Sequence, residues 1–403
     1  MRRFTPFVLL CVMGGLAIFS TTISKNPALP LFIASLGVDE GTLGLIAAAS
    51  TVVGVVVSLP AGALSDVLGR RRVILLSMLV FATAPFFYLL VTSPVQLVLV
   101  RIYHGLATAI LGPVAMAAVA DTFQAGRGER MAWYSSATMV GRFVAPSVGG
   151  LLIMGNDFRW VYLGAGITGI LALLASLRWQ AAAKTLAPRD PAPHQTLDAT
   201  WHRLQGELRV VLTNRDILLT GLMEAAQYFA FGAVETFLPL YLAGIGYSAR
   251  EIGPLFTAQV LVTAVTKPAL GRLSDQWGRK HFIAVGLISG ALAVAAMPWM
   301  DNYWVLMGLI TVFGLGVAAV TASTSALVSD LSRATTYGSA LGVLSSIMDV
   351  GHASGPAVVG YLVVGLHYGP AFAIVATILV LGALSFMVLV KDPSAQEQRR
   401  KAQ

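Results

Sequence analysis

Gly62-Ala63-Leu64-Ser65-Asp66-Val67-Leu68-Gly69-Arg70-Arg71-Arg72-Val73-Ile74 and Gly271-Arg272-Leu273-Ser274-Asp275-Gln276-Trp277-Gly278-Arg279-Lys280-His281-Phe282-Ile283 are one motif written twice, 209 residues apart. Each copy keeps Gly, then Leu-Ser-Asp, then Gly and a basic pair at the same spacing. The glycines permit close approach and a tight turn, and Asp66 stands where helix-end dipoles and Arg70 to Arg72 can hold it. A basic turn serving topology alone would account for the arginines but not for the fixed Gly and Asp positions.

The register extends outward from this motif. At the same offset Leu29-Pro30-Leu31 falls on Leu238-Pro239-Leu240, Gly37 on Gly246, Gly44 on Gly253 and Asp121 on Asp330. At an offset of 210, Gly141, Pro146 and Gly150 fall on Gly351, Pro356 and Gly360. Register held this long marks a duplicated unit. Around it, 56% of the 403 residues are hydrophobic, 11% are charged and the mean hydropathy is +0.76, values that exclude a water-facing surface for most of the chain. Apolar runs such as 73–91 and 371–390 are too long and too uniform for the alternating strands of a barrel, so helical spans of roughly 20 residues are expected.

Breaks at charge, Gly and Pro place twelve spans near 6–35, 41–64, 73–91, 94–120, 131–155, 158–178, 216–245, 252–270, 281–299, 302–328, 335–364 and 369–390. Of the 27 Lys and Arg residues, 21 fall on the side of Arg2 and Arg3, only Arg159 and Arg250 on the other, and Lys25, Arg101, Arg142 and Lys267 within spans. That bias puts both termini in the cytoplasm of a multi-pass protein of the cell inner membrane. It also accounts for the net charge of +8 without nucleic acid as a partner. The fold class expected is therefore an all-α membrane protein: twelve transmembrane helices in two pseudo-symmetric six-helix bundles, 1–180 and 215–403, with a substrate path between them. Residues 181–214, with Pro188, Pro191 and Pro193 and the mildly amphipathic stretch from Trp201 to Arg209, form the cytoplasmic linker. Cys11 is the only cysteine, and His194 and His202 are too isolated for a metal site, so no disulfide, metal or cofactor is expected.

The doubled motif resembles the loop signature between spans 2 and 3 of the major facilitator superfamily. The resemblance covers essentially the whole chain and implies the major facilitator fold. It also implies a cytoplasmic latch made by Gly62, Asp66, Gly69, Arg70 and Arg71, and by Gly271, Asp275, Gly278, Arg279 and Lys280. Val67 departs from the basic residue usual after the Asp. Arg101-Ile102-Tyr103-His104-Gly105 is similar to the superfamily's span-4 signature, with His in place of Gln. Gly141, Pro146, Gly149 and Gly150 match its antiporter-type span-5 motif, with Ala145 replacing one glycine. Together these resemble the twelve-span drug/proton antiporter branch, which implies a multidrug-type efflux transporter and not an enzyme.

An ionisable group at mid-bilayer costs about 2.5 to 3.5 kcal/mol on insertion scales, so embedded ones are functional candidates. The proton-coupling or gating set is Glu235, Lys25, Arg101, Glu224, Asp349 and His352. The substrate path takes Arg142, Asn26, His104 and Tyr228. Lys267 lies near the cytoplasmic end and can snorkel. Lys25 and Asn26 map through the repeat onto Val234 and Glu235, so Lys25 and Glu235 are expected to pair. Glu224 and Glu235, eleven residues apart, share a helix face and could form a ladder along the pore, and Asp349 lies three residues before His352 as a protonation pair. No glycine-rich ATP loop with a Lys is present, so coupling to a proton gradient is expected. The leading expectation is a monomer that exports a small, partly apolar molecule by alternating access. The alternative is transport of a small organic or inorganic anion on the embedded basic residues; a membrane sensor is a weaker third.

Overall fold

Long apolar runs fold as helices because a helix satisfies every backbone N–H and C=O inside its own segment, where the bilayer offers no water. The computed structural model describes residues 4–122, 126–183, 205, 212–332 and 337–390; the side chains of 4, 5, 59, 62, 63, 66, 182, 183 and 337–339 lie outside that description. Most of the expected linker, including His194 and His202, and the tail from 391 also lie outside it.

The described helices run in chain order α1 (Phe4–Lys25), α2 (Ala28–Ser35), α3 (Glu40–Leu68), α4 (Arg70–Tyr88), α5 (Pro94–Thr122), α6 (Arg127–Leu152) and α7 (Arg159–Ala183). After the linker come α8 (Arg215–Gly244), α9 (Ala249–Trp277), α10 (Arg279–Ala296), α11 (Tyr303–Leu331), α12 (Tyr337–Leu366) and α13 (Tyr368–Leu389). Pro27, which has no N–H to give, stands between α1 and α2, so the first span is two helices end to end. The helices α3, α5, α9 and α11 are each 29 residues, or about 43 Å at 1.5 Å per residue, longer than the hydrocarbon core.

Some helix starts are set by side chains. Asn214 Oδ1 accepts from the N–H groups of Asp216 and Ile217 at 3.1 and 3.2 Å to open α8, and Asn302 does the same for Trp304 and Val305 to open α11. Asp39 opens α3 by accepting from the backbone N–H and then the hydroxyl of Thr42, and these bonds hold its carboxyl below the usual range.

Among the described residues, ten helical segments are long and apolar enough to cross a membrane; α6 and α9 fall short of that measure. The cause is local: α6 carries Arg127, Glu129, Arg130 and Arg142, and α9 carries Arg250, Glu251, Lys267, Arg272 and Asp275, among many Gly, Ser and Thr residues. Elsewhere large apolar side chains face outward, with Val388 83% and Trp304 75% exposed, a surface that lipid covers and water would not tolerate.

Two compact units divide the chain. Unit 1 takes Met1–Val38, Ala49–His202 and Tyr247–Thr257; unit 2 takes Asp39–Ala48, Arg203–Gly246 and Ala258–Gln403. In unit 1, α1 packs along α6 and α7, and α4 along α5 and α7; in unit 2, α8 packs along α12 and α13, and α10 along α11 and α13. The pairings are the same under the repeat. Glycine makes them close: a Cβ on Gly141 would strike the Gly15 carbonyl of α1, and one on Gly351 would strike the Ala225 carbonyl of α8. The first residues of α9 lie against α6 inside unit 1, where Gly150 meets Ala249 and Gly253 meets Pro146. The first residues of α3 lie against α12 inside unit 2, where Gly360 meets Glu40 and Gly44 meets Pro356.

Candidate functional site

In unit 2 the interior of α8 carries two carboxylates. Glu235, half-buried, has Oε2 3.0 Å from Nε2 of His352 on α12. The helices come close enough for this pair because Gly232 has no Cβ: one there would lie 2.6 Å from the His352 carbonyl oxygen and 3.0 Å from its ring. The rings of Phe231 and Tyr228 stand 5.5 and 6.0 Å from the imidazole, so an aromatic wall flanks the pair. About three turns toward the other end of α8, Glu224 is buried and its Oε2 accepts a 2.6 Å bond from the Thr324 hydroxyl of α11. The field of Lys267 on α9 also acts on Glu224.

His352 reaches across from α12 to Glu235, because the glycine-lined helix opposite is close at hand. The two carboxylates of α8 engage different helices, Glu224 α11 and Glu235 α12. Asp349 is half-buried on α12. Phe231, Gly232 and Thr324 were not singled out from sequence. All three sit in apolar or hydroxyl-rich runs with no charge to mark them.

In unit 1, Arg101 and His104 on α5 are both buried. The Arg101 guanidinium hydrogen-bonds Tyr88 of α4, whose hydroxyl lies 3.3 Å from Nδ1 of His104. Tyr162 of α7 stacks on Tyr88 with ring centroids 4.5 Å apart, and Phe81 closes edge-to-face on His104 at 5.9 Å. Gly105 lets α5 touch α3, since a Cβ there would lie 2.8 Å from the Ser50 carbonyl oxygen. Lys25, the last residue of α1, is half-buried, the next residue Asn26 is buried, and Arg142 on α6 is exposed. Gly141 and Gly149 face α1, Gly150 faces the start of α9, and Pro146 is buried between them. The hydroxyl and backbone N–H of Ser147 both bond the Thr257 hydroxyl of α9, at 2.7 and 3.1 Å.

At the helix ends carrying the doubled motif, Gly69 has φ 89° and Gly278 has φ 95°, conformations that favour glycine. Arg70 donates from Nε to Asp121 at 3.1 Å and from Nη1 to Ser65 at 2.5 Å. Arg279, its repeat mate, donates to Asp330 and to Asp275, each at 2.5 Å. Asp275 is thus held by the arginine four residues on; the Gly62 and Asp66 counterparts lie outside the described side chains. The Arg71 carbonyl accepts a 3.0 Å bond from Gln180 of α7, Gly271 sits inside α9, and Lys280 is half-buried in the first turn of α10. Asp121 and Asp330 complete each motif from a distance of 51 residues. Their match through the repeat was the only signal available for them.

Among described residues, no group of three or more His, Cys, Asp or Glu side chains is placed to hold a metal ion. The arrangement suits proton exchange and solute contact within a helical bundle. Quinolone resistance protein NorA of Staphylococcus aureus is 23% identical over 339 residues, covering 83% of this chain and 84% of its own length. Multidrug resistance protein 2 of Bacillus subtilis is 25% identical over 366 residues, 88% of each chain. The crystal structure of the nucleoside transporter NupG superposes with a TM-score of 0.78 over 96% of this chain and all of that one, at 16% identity, a likeness of fold. The profile of the Major Facilitator Superfamily matches residues 10–256 and 220–403, nearly the whole length, and on that match this chain, a multi-span membrane transporter and not an enzyme, belongs to the Major Facilitator Superfamily.

Proposed function

We propose that the protein exports a small, partly apolar molecule across the inner membrane in exchange for protons, by alternating access, with both termini in the cytoplasm. The observation that carries this reading is the Glu235–His352 pair flanked by Tyr228 and Phe231. A carboxylate 3.0 Å from an imidazole exchanges a proton with its partner at small geometric cost, and an aromatic wall beside it accepts an apolar solute. A solute that competes for the carboxylate then releases the proton, which couples the two movements. The relatives named for quinolone and multidrug resistance make export of small organic molecules the natural direction.

In this reading Glu224, held by Thr324, is a second proton carrier on α8, and Arg101, Lys25 and Asp349 set the charge balance of their bundles. The paired turns at Arg70 and Arg279 act as the cytoplasmic latch, and α6 with its Gly141, Pro146, Gly149 and Gly150 face is the packed helix of the antiporter-type motif. One chain suffices for the cycle.

Inverted membrane vesicles, acidified inside and loaded with this protein, test the proposal against a panel of lipophilic cations, neutral drugs and small organic anions. Proton efflux from the lumen on addition of one compound class is the expected result, reduced at least tenfold in Glu235→Gln. Lack of response to every class, with accumulation of an anion in right-side-out vesicles, overturns it and moves the embedded arginines to the substrate.

A further inference from the structure

Thr324 on α11 has one hydroxyl hydrogen and two acceptors in reach. Oε2 of Glu224 lies at 2.6 Å, and the carbonyl oxygen of Val320, one turn back on the same helix, at 2.9 Å. Thr311 and Thr321 of α11 bond the carbonyl four residues back in the same way, so at Thr324 the carboxyl is the addition. The pair is sealed, Thr324 being 0% and Glu224 5% exposed. Among the described residues Thr324 is the one hydrogen-bond partner of Glu224.

A hydroxyl both donates and accepts, so one set of heavy-atom positions satisfies both states of the carboxyl. With Glu224 ionised, the Thr324 hydrogen points at Oε2, and the Val320 carbonyl keeps the N–H that the helix gives it. With Glu224 protonated on Oε2, that O–H donates to the Thr324 oxygen, and the Thr324 hydrogen turns to Val320. Neither state leaves a buried donor unmet, which would be expensive. The repeat shows that packing does not require the arrangement. At the offset of 209, Glu224 and Thr324 fall on Gly15 and Ala115, so unit 1 builds the equivalent helices α1 and α5 with neither the acid nor the hydroxyl. Other charged groups around α8 are few. Lys267 of α9 acts on Glu224 through its field, His352 of α12 bonds Glu235, and Asp349 is half-buried on α12. On α11, Asp330 is paired with Arg279, and α10 and α13 carry no titratable side chain over 282–296 and 369–389.

We propose that Thr324 is a positioning residue for proton exchange at Glu224: its hydroxyl turns between carboxyl and carbonyl, so the proton arrives from water and returns to it with no heavy atom displaced. This rests on the reading of Glu224 as a proton carrier.

The test is infrared titration of the purified full-length protein between acid and alkaline pH, without solute. The carboxyl C=O band of Glu224 is identified as the one missing from Glu224→Gln. The expected band vanishes on ionisation, lies at higher frequency in Thr324→Val, where the acid O–H has lost its acceptor, and returns to the wild-type position in Thr324→Ser. Identical band positions in wild type and Thr324→Val overturn the proposal, as does a Glu224 that gives no titrating band. If Thr324→Val does not fold, Thr324→Ala takes its place. In the vesicle assay, proton efflux evoked by the responding compound class falls about fivefold in Thr324→Val, the worth of one buried hydrogen bond, and is kept in Thr324→Ser. The two arms fail separately. A shifted band with no efflux from wild type sinks the export reading and leaves the role of Thr324 standing, whereas efflux from wild type with an unshifted band does the reverse.

Discussion

At the scale of the residue, the glycines at 271 and 278 belong to the same motif and are expected to respond oppositely to alanine. Gly278, at φ 95°, sits in a region that a Cβ opposes, so Gly278→Ala costs about 1 kcal/mol or more. Gly271 lies inside α9, where an added Cβ would be 3.8 Å from that of Ala322, an ordinary contact, so Gly271→Ala is neutral or stabilising by about 0.5 kcal/mol. Thermal unfolding of the two variants side by side checks the sign of each. A second residue-scale test falls on Thr324, whose hydroxyl bonds the buried Glu224 at 2.6 Å. Thr324→Val keeps the shape and removes the donor, which costs about 1 kcal/mol, the net worth of a typical buried hydrogen bond. A lower unfolding midpoint in Thr324→Val that Thr324→Ser restores is the expected pattern; an unchanged midpoint in Val would mean that the bond contributes nothing. Individual identities of this kind were legible where backbone sterics decide them, as at Gly69 and Gly278. They were not legible for the partner of His352, because the rotation of α12 against α8 is set by Gly232, Gly351 and Gly355 together and not by any spacing along one helix.

At the scale of the element, the duplicated glycines describe how closely helices approach. Gly141 against α1 and Gly351 against α8 occupy equivalent positions, and each lies directly on a carbonyl of its neighbour. Gly141→Val and Gly351→Val each push a helix pair apart and cost about 1 to 3 kcal/mol or more in overpacking. Gly308→Val on α11 meets open space and is tolerated. Yield of folded protein by size-exclusion chromatography separates the two outcomes, and a Gly308→Val defect equal to the others would show that the effect is helix propensity and not packing. The helices themselves were readable from apolar length and from Gly, Pro and charge breaks, and the repeat foretold that each would have a counterpart. The assignment of the first residues of α3 to unit 2 and of α9 to unit 1 was not readable. A small residue at Gly44 or Gly253 announces a close neighbour without naming it, and the neighbours, Pro356 and Pro146, lie over a hundred residues away in the chain.

At the scale of the whole molecule, α6 and α9 are the helices whose crossing rests least on hydropathy. Their polar content has a packing explanation, since both bury Gly and hydroxyl faces against protein, with Ser147 bonded to Thr257, and helices shielded from lipid need fewer apolar residues. The one-sided distribution of Lys and Arg predicts which end of each faces the cytoplasm: Arg127 and Arg130 flank the start of α6 and Arg272 the end of α9. With Cys11→Ser as a cysteine-free background, single cysteines at Asn156 and Asp301 are expected to react with a membrane-impermeant maleimide in intact cells. Cysteines at Arg127 and Gln276 are expected to react only after permeabilisation. The Arg127→Cys and Asn156→Cys pair brackets α6, so labelling of both from one side would mean that α6 does not cross. Opposite sidedness for all four would preserve every span and invert the molecule, placing the Arg70 and Arg279 turns outside, where a latch on the cytoplasmic face could not operate.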